Sequence, residues 1–348
     1  MKKTGILIGL IITSLFVFSG CTEIFDALAT PYGYVYDAVS GDGIASAAVT
    51  ITNADGTFAV TTDANGQYDF NDAATHPSYG DYTLTVEKTG YAFTPLQVSL
   101  SGLAQKFSPV VGVTSTNDEL LFVLMWDDGA TLDVDAHMTY PASSVSTSSP
   151  TTYDAYEADG AYSDGFTPDF LFTSTNRQSV HAGRLTSSAS NEIVLDRNDT
   201  DGTGPETISV AYTTPWTPNV GTTQFNPNTE ITPLIGSGDT AAVTWAGTME
   251  YYIDGNGDNF STQGSYAGSH PVLYVFDGAS CIGIYRVPDY TDASIASLAR
   301  IQVLNDPTAP GTGVAYYIIY PDIRLLSSAS DIRSASSEPH APLVVKRR

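Results

Sequence analysis

Three side chains that could bind a metal ion alternate along the run Leu132–Tyr140. Asp133, Asp135 and His137 are separated by apolar residues. Successive side chains of a β-strand point to opposite faces, so this spacing predicts that the two carboxylates and the imidazole share one face. Two carboxylates suit a hard cation such as calcium, and the added imidazole admits zinc or manganese. A polar face that is solvated or hydrogen-bonded explains the same pattern, and this alternative stays open.

A second cluster of oxygen donors lies between positions 196 and 206. Its candidate calcium ligands are Asp196, Asn198, Asp199, Asp201 and Glu206. The spacing is not that of an EF-hand, because the sixth position lacks glycine and the twelfth is a threonine. A turn in which Asp and Asn cap backbone amides is an equal alternative. We hypothesise that this loop and the Asp133/Asp135 face converge on one calcium ion.

A weaker candidate for calcium is the segment that contains Asp254, Asn256 and Asp258. Its oxygen donors alternate, but Ser265 stands where a closing glutamate would be needed. The pattern favours a simple turn over a calcium loop.

No catalytic motif accompanies these candidate ligands. The sequence contains no His-Glu-x-x-His, no Gly-x-Ser-x-Gly, no Cys-x-x-Cys and no phosphate-binding glycine loop before a helix. We therefore assign no catalytic residue and expect no enzyme activity. A metal-assisted hydrolase of envelope polymers, with Asp133, Asp135 and His137 as ligands, is the alternative.

The beginning of the chain is typical of an export signal. Lys2 and Lys3 precede an uncharged apolar run from Gly5 to Phe18, which is too short to span a bilayer comfortably. The run closes with Phe18-Ser19-Gly20-Cys21, which resembles the lipobox of bacterial lipoproteins. This resemblance implies cleavage after residue 20, lipidation of Cys21 and a membrane anchor. Thr22 follows the cysteine in place of the aspartate that retains some lipoproteins at the inner membrane, which favours the outer membrane of the cell envelope.

Composition narrows the range of partners. The formal net charge is −24, so nucleic acid and anionic lipid surfaces are unfavourable partners. Hydrophobic residues make up 42% of the chain, which is ample for folded cores. Lipidation of Cys21 would leave Cys281 as a free thiol, and the apolar runs around it predict that it is buried.

Short alternating runs of Val, Thr, Ile and Tyr between turn residues predict an all-β fold with two β-sandwich domains. Tyr32–Asp37 and Val272–Asp277 are among the predicted strands, and Asn65-Gly66 is among the turn signals. We expect a signal peptide at 1–20, a lipidated tether at 21–30, sandwiches at 31–112 and 118–326, and a disordered tail at 327–348. The stretches Pro141–Gly160 and Thr213–Asp239 are expected to be long surface loops.

The first predicted sandwich resembles carboxypeptidase regulatory-like domains from about Thr30 to Gly102. The residues that carry the resemblance are, in chain order, Gly33-x-Val35-x-Asp37, Gly43-Ile44, Ala47-x-Val49, Thr62-Asp63-x-Asn65-Gly66-x-Tyr68-x-Phe70, Tyr82-x-Leu84-x-Val86 and Gly90-Tyr91. Such domains are prealbumin-like or starch-binding-like sandwiches without catalytic residues. The alternating Val, Tyr and Phe residues are expected to face the core.

The second predicted sandwich resembles the YfaP-like domains of bacterial envelope proteins. The residues that carry the resemblance are Leu124-x-Trp126, Leu132 to His137, Tyr140-Pro141, Leu195 to Glu206, Gly247-x-x-x-Tyr251-Tyr252 and Arg286-Val287-Pro288. The resemblance implies an envelope β-domain without a defined reaction. We expect a non-catalytic surface lipoprotein that binds carbohydrate or protein, or, alternatively, a structural subunit of a surface assembly.

Overall fold

A computed structural model describes fourteen ranges of the chain. They are residues 31–71, 76–102, 104–126, 134–141, 152–155, 179–180, 193–197, 204–210, 232–241, 243–255, 270–287, 295–305, 314–326 and 341–346. Strands dominate these ranges, so the all-β prediction is confirmed. The chain divides into two compact units, one formed by residues up to Asp37 and 42–112, the other by Ala38–Gly41 and the residues from Val113 onward.

The described part of the first unit is formed by eight short strands, the last of which ends two residues beyond Gly112. They are β1 (Tyr32–Asp37), β2 (Ala48–Thr52), β3 (Thr57–Thr61), β4 (Gln67–Asp69), β5 (Gly80–Glu87), β6 (Tyr91–Phe93), β7 (Leu96–Leu100) and β8 (Val110–Thr114). One sheet has the order β4-β1-β8-β6, and the other has the order β3-β2-β5-β7. The alternation predicted β1 correctly at both ends, whereas β6 and β8 were not predicted.

The core of the first unit is built from residues at alternate strand positions. Val35, Tyr68, Phe70, Tyr82 and Leu84 are almost completely buried, as the alternation of Val, Tyr and Phe predicts. Full burial of side chains of this size contributes roughly 1.5 to 3 kcal/mol each.

Gly33 makes room for one of these core rings. It is the register partner of Tyr68, and a Cβ atom at position 33 would lie 2.6 Å from Tyr68 Cζ. Glycine at this position therefore lets Tyr68 pack across β1.

The turn before β4 also depends on glycine. Gly66 has a φ of 77°, and a Cβ atom there would lie 2.8 Å from the Cα of Gly43. The side chain of Asp63 accepts hydrogen bonds from the backbone amides of Asn65 and Gln67, both at 2.8 Å. The Asn65-Gly66 turn signal is therefore confirmed.

The described part of the second unit contains twelve strands and two short helices. The strands are β9 (Leu120–Met125), β10 (Val134–Pro141), β11 (Thr152–Ala155), β12 (Ser179–Val180), β13 (Ile193–Arg197), β14 (Glu206–Val210), β15 (Thr244–Gly255), β16 (Val272–Asp277), β17 (Ser280–Arg286), β18 (Ile295–Asn305), β19 (Val314–Leu326) and β20 (Leu343–Lys346). The helices are α1 (Thr232–Ile235) and α2 (Ser237–Ala241).

Two six-stranded sheets enclose one apolar core in the second unit. Their orders are β11-β10-β15-β18-β19-β20 and β12-β13-β14-β9-β16-β17. The core includes Phe122 and Trp126 from one sheet and Tyr251 and Ile301 from the other. The rings of Phe122 and Tyr251 stack with their centroids 5.3 Å apart.

Three segments of the second unit differ from the sequence-based prediction. Strand β11 lies in one predicted loop, and α1 and part of α2 lie in the other. Leu234 and Ile235 of α1 pack against a small cluster formed by Leu304, Tyr316 and Ile318, which explains why this segment is helical. The disordered-tail prediction is wrong for β20, which pairs with β19.

Several predictions lie outside the described residues. They are the signal peptide at 1–20, the tether with Cys21, and the rest of the tail at 327–340 and 347–348. No helix in the described part of the chain is long and apolar enough to cross a membrane.

Candidate functional site

A row of three tyrosines lies on the outer face of the first unit. Tyr32, Tyr34 and Tyr36 occupy alternate positions of β1, and each is half-buried. Val35, between them, points the other way and is fully buried in the core. The strand alternation therefore places the three rings on one partly exposed face, which we call the tyrosine row.

The rings of the tyrosine row are close enough to form one continuous surface. Those of Tyr34 and Tyr36 are 4° from parallel, with centroids 5.8 Å apart. The ring of Tyr32 is turned by 79° relative to that of Tyr34, at 6.5 Å. The Lys106 ammonium lies over the Tyr34 ring, 5.7 Å from its centroid, a cation–π contact that fixes this ring.

Polar residues stand on both sides of the tyrosine row. Gln67 and Asp69 of β4 are the register partners of Tyr34 and Tyr32, and Tyr68 between them points into the core. On the opposite side of β1, Lys106 forms an isolated parallel β-bridge with Tyr32. The amide, carboxylate, ammonium and phenol groups supply hydrogen-bond donors and acceptors around an apolar centre. This surface offers both ring contacts and hydrogen-bonding groups to a ligand.

An open cleft of about 630 Å³ lies elsewhere in the first unit, between β2, β5 and β6. Tyr91 and Phe93 line it, with centroids 6.1 Å apart. The Tyr91 hydroxyl donates a 3.0 Å hydrogen bond to Asp37 Oδ2. Partial burial, followed by the carboxylate of Asp37, raises the pKa of Tyr91. At the rim of the cleft, the Lys88 ammonium donates a 2.7 Å hydrogen bond to the carbonyl oxygen of Ala45.

In the second unit, the histidine predicted as a metal ligand is buried. Val134, Ala136 and Met138 of β10 face the core, and His137 points to the other side of the sheet with 1% of its surface exposed. A freely solvated position for His137 is therefore excluded. Asp133 lies outside the described residues.

The strand register brings together two acidic residues that were predicted to belong to different sites. Asp135 of β10 is the Cα partner of Asp254 of β15. The other two residues of the weaker candidate, Asn256 and Asp258, lie outside the described residues.

The predicted acidic loop joins β13 and β14, and its two described acids lie at the ends of these strands. Asp196 is half-buried at a β-bulge, since the register shifts between Leu195 and Arg197. Asn198, Asp199 and Asp201 lie outside the described residues.

Glu206 is a core residue, which the sequence-based interpretation missed. It is fully buried on the face of β14 that carries Ile208 and Val210, opposite Leu124 of β9. Burial, followed by the carboxylate of Glu206, raises the pKa of Tyr251 well above its usual value. The alternation Glu206-x-Ile208-x-Val210 could have revealed this position. Glu206 and His137 thus lie on opposite sides of the sheet that contains β10.

The described residues bring no three of the predicted metal ligands together. Among them, no three His, Cys, Asp or Glu side chains are grouped so that they could hold a metal ion. Cys281 is half-buried in β17, and its thiol lies 3.4 Å from the carbonyl oxygen of Gly283. It is therefore less buried than predicted.

Comparison with solved structures gives distant similarities. A crystal structure of a protein of unknown function is 15% identical over 63% of this chain and 96% of that chain, with a TM-score of 0.32. Proteins of the DUF3823 family from Bacteroides ovatus and Parabacteroides merdae are 11% and 9% identical, with TM-scores of 0.19 and 0.20. These two matches cover 90% and 98% of the DUF3823 chains and 66% and 75% of this chain, respectively.

Comparison with known sequences gives one family. No curated protein matches the chain. The family model of the carboxypeptidase regulatory-like domain matches residues 32–106, which include β1 to β7. This part of the chain is therefore similar to a carboxypeptidase regulatory-like domain, in agreement with the motifs between Gly33 and Tyr91.

Proposed function

We propose that the chain is a non-catalytic, lipid-anchored module of the cell envelope that binds carbohydrate through the tyrosine row. The observation that carries the proposal is the set of three neighbouring rings at 5.8 and 6.5 Å on a partly exposed sheet face. A sugar has an apolar C–H face and a rim of hydroxyl groups. Tyrosine matches both, because its ring is apolar and its hydroxyl is polar.

The polar surroundings of the tyrosine row support a hydroxyl-rich ligand. Each sugar hydroxyl can both donate and accept a hydrogen bond. Gln67 offers both kinds of group, Asp69 accepts, and Lys106 donates. A ligand with only acceptors or only donors would leave one of these groups without a partner.

Retention on polysaccharides tests the binding proposal. The full chain in detergent is passed over a panel of insoluble neutral and acidic polysaccharides, in parallel with a Tyr36→Ala variant. We expect retention on at least one polysaccharide and weaker retention of the variant. Failure of the wild-type chain to bind any member of the panel would contradict the proposal.

The anchor is part of the same proposal and is tested separately. Lipidation of Cys21 would keep the chain in the membrane fraction of expressing cells, and the Cys21→Ser chain is expected to lose that association. Metabolic labelling with a fatty acid distinguishes lipidation from an uncleaved apolar segment. A Cys21→Ser chain that stays membrane-bound and a wild-type chain without label would contradict the anchor.

The second unit is proposed to be a YfaP-like envelope domain that holds or extends the binding unit. It has a large apolar core, which suits a stable scaffold. A calcium ion bound at Asp135 of β10 and Asp254 of β15 would serve this unit as a structural ion.

A further inference from the structure

We infer that the tyrosine row binds an uncharged glycan chain that lies along β1. The inference rests on the proposed function and names the class of carbohydrate and its direction. It follows from the length of the row, the spacing of its rings and the charges beside it.

The rings are arranged along a line. Tyr32 and Tyr36 are four positions apart on one strand, which corresponds to roughly 13 Å at a rise of about 3.3 Å per residue. This is the length of a short oligosaccharide in an extended conformation. A single sugar would contact one or two of the rings, so a chain uses the surface more fully than a monosaccharide does.

The ring orientations divide the row into two kinds of contact. The rings of Tyr34 and Tyr36 are stacked within 4° of parallel, so together they offer one joint contact to a ligand. Tyr32 is turned by 79° and begins a differently oriented contact. Tyr32 is therefore expected to affect longer ligands more than shorter ones.

The local charges favour a neutral ligand. Lys106 and Asp69 have opposite charges and stand on opposite sides of the row. The whole chain carries a formal charge of −24, which repels a polyanion at long range. An uncharged glycan meets no such repulsion, and its affinity is expected to be insensitive to salt.

A series of oligosaccharides tests this inference with the full chain. The neutral probes are cello-, xylo- and malto-oligosaccharides of increasing length, and the acidic probes are oligogalacturonates of the same lengths. For one neutral series we expect the affinity to rise with length until the row is covered and then to level off. Tyr32→Ala is expected to weaken the affinity for the longest ligands about fivefold, which corresponds to about 1 kcal/mol. Its effect on the affinity for the shortest ligands is expected to be much smaller.

Lys106→Met provides the matched test of charge, because it keeps the aliphatic stem and removes the ammonium. For a neutral ligand we expect a change of at most about threefold and no dependence on salt. Preference for oligogalacturonates, with a large salt-dependent loss in Lys106→Met, would overturn the inference but leave carbohydrate binding intact. Affinity that does not change with length would overturn it in the same way. Absence of binding to every glycan would overturn the proposed function itself.

Discussion

Asp135 and Asp254 are directly opposite each other in the antiparallel register of β10 and β15. The two residues are more than a hundred positions apart in the sequence, and the sequence analysis assigned them to two separate candidate calcium sites. Their pairing gives a single place at which the calcium proposal can be tested.

Replacement of Asp254 is expected to have opposite effects with and without calcium. Without calcium, Asp254→Asn removes one of two acidic residues at opposed register positions, where like charges are destabilising, and we expect the free energy of unfolding to rise by about 0.2 to 1 kcal/mol. With calcium bound, the same substitution removes a ligand and should lower it. Denaturant unfolding in chelator and in millimolar calcium measures both values.

Asp55→Asn is the control for the calcium experiment, since it removes the same charge from an exposed turn of the first unit. It is expected to have the same small effect in both buffers. If Asp254→Asn also behaves identically in both buffers, and calorimetry detects no calcium heat, the calcium proposal is wrong.

Substitution of Gly33 is expected to destabilise the first unit. Gly33→Ala puts a methyl group 2.6 Å from Tyr68 Cζ, so the buried ring or the strand must move. Such overpacking costs about 1 to 3 kcal/mol. Denaturant unfolding gives the change in free energy.

Gly56→Ala is the matched control for Gly33→Ala. The nearest atoms to a Cβ atom at position 56 belong to Phe58 and are 3.6 Å away, an ordinary contact distance. Its stability should be close to that of the wild type. Equal stability of the Gly33 and Gly56 variants would show that Tyr68 does not pack across β1 as described.

Alkaline pH is expected to destabilise the second unit. Burial raises the pKa of Tyr274 from 10.0 to about 12, and burial also raises that of Tyr285 to about 12. The unfolded tyrosines lose their protons near pH 10 while the folded ones keep them, so stability is intact below pH 10 and falls from pH 10 towards pH 12. The slope is about 1.4 kcal/mol per pH unit for each such group.

Tyr274→Phe should reduce the steepness of this alkaline loss, because one titrating group is removed. Thermal unfolding between neutral pH and pH 11 measures it, and tyrosinate absorbance follows ionisation directly. An unchanged slope in Tyr274→Phe would contradict the raised pKa of this residue.

Strand β20 is expected to depend on a polar cluster at the end of its sheet. Asp239 Oδ2 accepts hydrogen bonds from the Tyr316 hydroxyl and from the Lys346 ammonium, the latter at 3.1 Å. The Tyr316 hydrogen bond, followed by that of Lys346, lowers the pKa of Asp239. The interaction is therefore present above the usual carboxyl pKa and is lost as the pH falls through the lowered value.

Asp239→Asn should accelerate hydrogen exchange at the amides of β20, with little effect on the amides of β16. The same acceleration is expected for the wild type at acid pH. If exchange of β20 is the same in Asp239→Asn and the wild type, the cluster does not hold the strand.

The sequence predicts strands better than it predicts what they bring together. Alternation and turn residues gave the bounds of β1 and β16 because these patterns are local. The pairing of Asp135 with Asp254 depends on which strands become neighbours, and no local pattern contains that information. Glu206 was assigned to a loop because its acidic neighbours dominate the sequence, although its alternation with Ile208 and Val210 indicates the core.

Local patterning also could not predict that the tyrosine row lies on the outer face. The alternation in β1 puts tyrosines on one face and Gly33, Val35 and Asp37 on the other. The tyrosine face is the more apolar of the two, and simple patterning would bury it. The core instead receives Val35 and the ring of Tyr68, which fills the space that Gly33 leaves open.

Calorimetric titration of the full chain with the carbohydrate that it retains best tests the central claim most directly. Tyr34→Ala is expected to weaken binding about tenfold or more, and Tyr34→Phe, which keeps the ring, should stay close to the wild type. Tyr79→Ala, which removes an exposed tyrosine outside the row, should have no effect. Equal affinities of the Tyr34→Ala, Tyr79→Ala and wild-type chains, all folded by thermal unfolding, would show that the tyrosine row is not the carbohydrate site.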